Sequence, residues 1–200
     1  MSISRSLLGL AVLLGISAVT YSVAQPAPAR ELVPYDVDSG HSIVIFKIRH
    51  LDVANFYGTF DSVTGEIQYD ADNPTKSSVK VEIDTTSIDS NSKDRDELLM
   101  SSDFFDSGNH KSWTFESTGV KKGKKDAMQL MGKLTLRGVE KEIEAELVPV
   151  GEGKTFMGER VGFEARFSID RNDFEISGVP GGLGADVDVI VALEGLKREG

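Results

Sequence analysis

The chain contains no cysteine. Disulfide frameworks, thiolate catalysis and thiolate metal ligation are closed to it, and its stability has to come from a packed core. Histidine is nearly as scarce: His41, His50 and His110 are the whole complement, spaced too far apart for a local zinc motif such as H-E-x-x-H. Positive charge is also short, with 22 Lys and Arg against 32 Asp and Glu and a formal charge of −10. The single dense basic run, Lys121-Lys122-Gly123-Lys124-Lys125, reads as a solvated hairpin tip. That balance argues against nucleic acid as a partner, because a phosphate-binding surface needs a basic patch. No G-x-S-x-G elbow, Walker loop or dinucleotide fingerprint is present, and the run from Gly178 to Gly184 lacks the lysine and hydroxyl of a phosphate cradle. Asp103 and Asp106 enclose Phe104 and Phe105 rather than a series of oxygen donors, so they read as a turn with two aromatic anchors. No catalytic residue and no metal site is expected, and the chain is read as a non-enzyme.

One long apolar run exists, Leu7 to Val19, and it follows Arg5. With Ser22-Val23-Ala24 before Gln25, residues 1–24 read as a cleaved signal peptide, since an anchor needs about 20 apolar residues. The expected location is periplasmic or secreted, with no stable membrane span after cleavage. Loss of Arg5 would bring the charge to −11. Residues 25–34, carrying Pro26, Pro28 and Pro34, read as an extended leader, and 35–200 as one domain without internal repeats.

Within that domain the hydrophobic period is two, in about eight segments separated by turn residues, which is the signature of antiparallel strands. Val44, Phe46 and Ile48 share a face; so do Val79, Val81 and Ile83; Trp113 and Phe115; Met128, Leu130, Gly132, Leu134 and Leu136; Ile143, Ala145 and Leu147; Val161, Phe163, Ala165, Phe167 and Ile169; and Val187, Val189, Val191 and Leu193. The segment from Phe56 to Tyr69 changes phase between Phe60 and Val63, which predicts a β-bulge near Asp61 or Ser62. A short helical insertion is expected near residues 90–101, with Asn91 as N-cap and Asp94 three residues on.

Eight strands, each apolar on one face, can form a two-sheet sandwich or a closed barrel, and the pattern alone permits both. Charges such as Lys80, Glu82, Asp84, Glu142, Glu144 and Glu146 fall on the opposite face, the reverse of an outer-membrane barrel, so a barrel would be a soluble one. Gly58, Gly132, Ala145 and Ala165 among the inward aromatics leave room for an internal cavity, or relieve crowding in a solid core. Arg95, between Asp94 and Asp96, reads as an ion-paired structural residue or as a cation at a pore mouth.

Four blocks carry a family likeness. Asp38-Ser39-Gly40-His41-Ser42 with Phe46 to Leu51 and Gly58-Thr59-Phe60, the block Asn91 to Asp106, Trp113 to Ser117, and Gly132 to Val139 together resemble the YceI-like family of polyisoprenoid-binding, lipocalin-like exported proteins. The resemblance spans Tyr35 to Leu193. It implies an eight-stranded antiparallel barrel whose pore holds an amphiphile such as a prenyl quinone or polyprenyl phosphate, often in a homodimer, with no cofactor required beyond such an isoprenoid-type lipid. The pore lining it suggests is Phe46, Phe60, Val81, Phe104, Phe105, Trp113, Phe115, Leu130, Phe163 and Phe167, with His50, Asn91 and Arg95 nearest a polar head. Three positions depart from the family's habit: Leu98 stands where histidine is common, His110-Lys111 where Tyr-Pro is common, and Glu175 where glycine follows Asp173-Phe174. The rival readings are a stress-response or protein-interaction module with a solid core, and an enzyme acting on an isoprenoid or acyl amphiphile.

Overall fold

In the computed structural model, residues 32–123 and 127–199 are described. The signal segment and most of the leader lie outside the described residues, as do Lys124 and Lys125 of the basic run. Eleven strand segments are present: β1 (Val33–Val37), β2 (Ile43–His50), β3 (Ala54–Phe60), β4 (Val63–Tyr69), β5 (Ser78–Asp84), β6 (Ile88–Asp89), β7 (Ser112–Lys122), β8 (Met128–Leu136), β9 (Val139–Thr155), β10 (Gly158–Asp170) and β11 (Leu183–Lys197), with one helix, α1 (Lys93–Met100).

Three pairs of segments are single strands with a break. β1 and β2 both lie against β11, β3 and β4 lie against β2 and β1, and β5 and β6 continue one another beyond them. Counted this way eight antiparallel strands run in simple up-and-down order, and β11 closes on β1 and β2. The structure thus selects the barrel over the sandwich, a solution that leaves no exposed sheet edge around the closed wall.

The phase change between Phe60 and Val63 is a two-residue interruption. Asp61 and Ser62 bond to Ser87, its carbonyl and its hydroxyl, across a matching break at Thr85–Ser87 in the neighbouring strand. Phe60 and Val63 both end up buried, so the break restores the inward face as the sequence required. Arg137-Gly138, both with positive φ, turn β8 into β9, the backbone hand that two-residue hairpins demand; Leu51 and Asp52, also with positive φ, open the three-residue turn from β2 to β3.

Two sequence readings need correction. Val33 and Pro34, assigned to the leader, belong to β1, a five-residue strand between β4 and β11 that is too short to register as periodicity. Ser92, not Asn91, stands at the N-cap position of α1, without a side-chain capping bond. Asn91 has φ 63°, left-handed backbone that asparagine tolerates better than most residues. Asp94 and Asp96 in the first turn complement the helix dipole.

The turns β2–β3 and β8–β9, helix α1 and the segments 101–111 and 171–182 gather at one end of the barrel, here the upper end. β1 begins and β11 finishes at the lower end, beside the β9–β10 hairpin. No helix among the described residues is long and apolar enough to cross a membrane.

Candidate functional site

The inward faces enclose two cavities along the barrel axis, and Trp113 and Phe167 line both. The upper one measures about 260 Å³. From its rim inward its wall carries an aromatic series: Phe56 lies 6.5 Å from Phe46, Phe46 5.8 Å from Phe60, and Phe60 meets Phe105 and Trp113 edge-on at 5.1 and 5.8 Å. Such tilted and T-shaped contacts match the ring quadrupoles. The lower cavity is a slot of about 60 Å³ among Val81, Phe115, Leu130, Ala145, Phe163 and Ala165, with Tyr69, Ser77 and Ser78 toward its outer end.

Polar atoms are few and sorted. In the upper cavity His50, Arg95 and Arg171 are the polar lining residues, and no carboxylate is among them. Arg95 lies over the Phe56 ring at 4.5 Å from its centroid. Its Nε donates to the Ser90 hydroxyl at 2.9 Å, and its Nη2 donates to the Ser90 carbonyl. The expected ion pair of Arg95 with Asp94 or Asp96 is not formed; Ser90 stands between, its hydroxyl also donating to Asp96. At the opposite end, burial and the nearby Glu152 carboxylate push the Tyr69 phenol above its usual range, and its ring meets Phe163 edge-on at 5.2 Å.

Arg171 was not singled out by sequence. It is buried, and its guanidinium donates to four backbone carbonyls, those of Ile176 at 2.6 Å, Gly184 at 2.8 Å, Gly178 at 3.1 Å and Leu183 at 3.4 Å. It therefore fastens the segment that roofs the upper cavity. Arg137 adds a second fastening, donating to the Phe104 and Glu175 carbonyls at 2.8 and 2.7 Å. Glu175 has φ 60°, which explains physically why glycine suits that position.

All ten residues proposed as pore lining border one cavity or the other. Phe46, Phe60, Phe104 and Phe105 line the upper one, Val81, Phe115, Leu130 and Phe163 the lower one, and Trp113 and Phe167 both. His50 and Arg95 stand at the upper cavity. Asn91 does not join them: it lies on an open polar groove with Asp61, Ser62 and Thr86, outside the pore. Of the two readings of the small inward residues, Gly58 and Gly132 follow the relief of crowding and not the opening of a cavity. A Cβ at Gly58 would run into the Phe46 ring, and one at Gly132 into the Phe115 ring, so these glycines let phenylalanines lie flat on the wall. Ala145 and Ala165 do border free space.

Asp38, His41 and Glu194 bring one possible metal-ligand atom each within 4.8 Å. Arg160 already donates to both carboxylates, which makes the group an ion-pair cluster. Neither cavity brings a nucleophile and a base together: Ser77 and Ser78 border the lower one, His50 the upper.

The model of the YceI-like domain matches residues 35–195. This chain belongs to the YceI-like family. Among curated relatives in the family, a protein named YceI from Escherichia coli O157:H7 is 36% identical over 98% of this chain and 99% of its own length. A UPF0312 protein from Azotobacter vinelandii is 39% identical, covering 82% and 85% of the two chains. Among solved structures, BcnA of Burkholderia cenocepacia superposes with a TM-score of 0.72 at 19% identity, over 79% of this chain and 98% of that one. A polyisoprenoid binding domain from Saccharophagus degradans superposes with a TM-score of 0.60 at 13% identity, over 84% and 100%. The two structures show the same barrel fold.

Proposed function

We propose that this YceI-like protein is exported by its residue 1–24 segment to the periplasm or beyond and there binds, sequesters or carries one long-chain amphiphile of the polyisoprenoid or isoprenoid-quinone type, without catalysis and without any other cofactor. The observation that carries this reading is the sorting of the interior: two collinear apolar cavities, with cationic side chains confined to the upper one. An apolar cavity of roughly 150 Å³ already accepts benzene, and the upper cavity alone exceeds that. The tail would run from there past Trp113 into the slot, with the Phe46 and Phe115 rings shifting to widen it. Each buried methylene contributes about 0.8 kcal/mol, so ten reach about 8 kcal/mol, near micromolar affinity before the cost of association. Arg95 and His50 would face an oxygen-bearing head group such as a phosphate or a quinone carbonyl. The polyisoprenoid binding named for the Saccharophagus degradans domain supports the same class of cargo.

Protein purified without detergent from the exporting host, extracted with organic solvent and analysed by mass spectrometry, should release a prenyl-chain amphiphile in near-stoichiometric amount. Protein that repeatedly yields no lipid, and whose Trp113 fluorescence does not respond to added prenyl quinone or polyprenyl phosphate, would return the barrel to the solid-core reading.

A further inference from the structure

Both ends of the barrel expose large apolar side chains, but in different relations to the cavities. At the lower end Val150, Phe156 and Met157 sit on the β9–β10 hairpin, exposed by 73, 96 and 44%, and none of them lines a cavity. At the upper end Leu51 and Val53 in the β2–β3 turn, Leu98 on α1 and Val179 in the segment after Arg171 are exposed by 57, 82, 47 and 47%. Leu98 and Val179 line the upper cavity as well, so apolar surface is continuous from the outer rim into the pore. Leu51 and Val179 approach one another over Gly182, and the Leu51 amide donates to the Gly182 carbonyl at 2.8 Å. These elements, drawn from three separate parts of the sequence, therefore form one rim.

The rim also holds strain. Val179 has φ 51°, a conformation that is a genuine outlier for a β-branched residue and that persists only where surrounding structure over-determines it. It is held there by the Arg171 bonds to Gly178 and Leu183 on either side of it. Its side chain stands half exposed at the cavity mouth.

We propose that this rim, Leu51, Val53, Leu98 and Val179, is a docking surface for a lipid bilayer, and that the cargo passes between membrane and pore there. The inference rests on the lipid-binding reading above. A bilayer is the favoured occupant because the rim's apolar surface runs directly into the cavity, which a lipid has to enter without crossing water. Arg49 and His50 beside the turn stand where the phosphates of an interfacial lipid layer would lie, but Asp52 in the turn and Asp94, Asp96 and Glu97 on α1 share this end, so the apolar side chains, seated at the headgroup boundary, carry the docking. The lower hairpin, whose apolar tip joins no cavity, lacks that continuity.

The test uses the exported protein and phosphatidylcholine vesicles, with and without anionic lipid, carrying a prenyl quinone. Flotation reads docking, and Trp113 fluorescence reads pore occupancy separately, since Trp113 is the one tryptophan in the chain and lines both cavities. Val53→Asp and Leu98→Asp, at exposed positions where folding is not at stake, should each lower vesicle binding and the rate of loading from vesicles by about tenfold, the order expected from one buried apolar side chain. Loading from cyclodextrin should be unchanged in Val53→Asp, whose side chain lines neither cavity. Phe156→Ser should leave docking unchanged. The proposal is overturned if the rim variants load from vesicles at the original rate, if Phe156→Ser is the variant that abolishes docking, or if Val53→Asp instead dissolves a dimer seen by sedimentation while vesicles never bind. Failure of the lipid-binding reading looks different: no fluorescence response from either donor, whatever the vesicles do.

Discussion

Above Trp113 the pore is wide and bordered by His50, Arg95 and Arg171; below it no cationic side chain lines the wall and the free volume drops from about 260 to about 60 Å³. The same strands build both halves with the same alternation of inward and outward residues, so the contrast comes from what covers each end. The lower end is drawn together by the packing of Tyr35, Ile67, Val161 and Phe163 and by Arg160, which donates to Asp38 and Glu194. The upper end is roofed by two irregular segments, one carrying Phe104 and Phe105 and one following Arg171. An arginine holds each end, but Arg160 is paired with carboxylates, whereas the four hydrogen bonds of Arg171 all go to backbone carbonyls.

That difference predicts unequal costs of removal. Arg171→Met should destabilise the protein by about 3 kcal/mol, because several carbonyls are left without donors in a place that water reaches poorly. Arg160→Met should cost clearly less, since its partners are partly exposed and can be rehydrated. Chemical denaturation of both variants decides the matter. Equal losses, or a larger loss at Arg160, would break the contrast between the two ends.

The two halves can also be separated by ligand length. Ala165 borders the lower slot, and Ala165→Leu would fill free volume there at a modest packing cost. Prenyl quinones long enough to pass Trp113 should bind about tenfold more weakly to this variant, a difference of about 1.4 kcal/mol, while a short-chain analogue confined to the upper cavity should bind as before. Titration of Trp113 fluorescence with a chain-length series makes the measurement. If short and long chains weaken alike, the lower slot is not where the tail lies.

How much of this contrast the sequence carried follows from the kind of signal involved. The walls were legible, because alternation over five to nine residues is a strong, local statement about which side chains face inward: Val44, Phe46 and Ile48 were placed correctly, and so were the residues of the long β8 and β10. The family likeness supplied closure, which alternation cannot distinguish from a sandwich. Of the roof, Phe104 and Phe105 were legible through the same likeness, and the segment after Arg171 was not. Arg171 lies just past the end of β10 in a short turn, and its partners Gly178, Leu183 and Gly184 come from a glycine-rich stretch that reads only as a flexible connection. Asn91 was misplaced because asparagine suits both a helix N-cap and a left-handed residue, and only tertiary structure chose. Gly58 and Gly132 stayed open between a gap and relief of crowding because a sequence shows what a residue lacks and not what lies over it.

The smallest expected effect concerns acid. The Arg160 guanidinium, with help from His41 and the Gly40 amide, holds the Asp38 carboxyl below the usual carboxylate range. A carboxylate with a depressed folded-state pKa contributes stability that is present above its unfolded value, near 3.9, and is lost as pH falls through the folded value. Arg171 faces carbonyls, which do not titrate in that window. Lowering the pH below about 4 should therefore loosen the lower seam, where β1 and the Asp38 turn meet β10 and β11, before it touches the roof at 175–184. Hydrogen exchange should show amide protection falling first across Val33–Val37 and the Gly40–His41 amides, and in Arg160→Met that early loss should already be present at neutral pH. A roof that opens first would mean that the cationic half, and not the ion-paired seam, is the acid-sensitive part of the barrel.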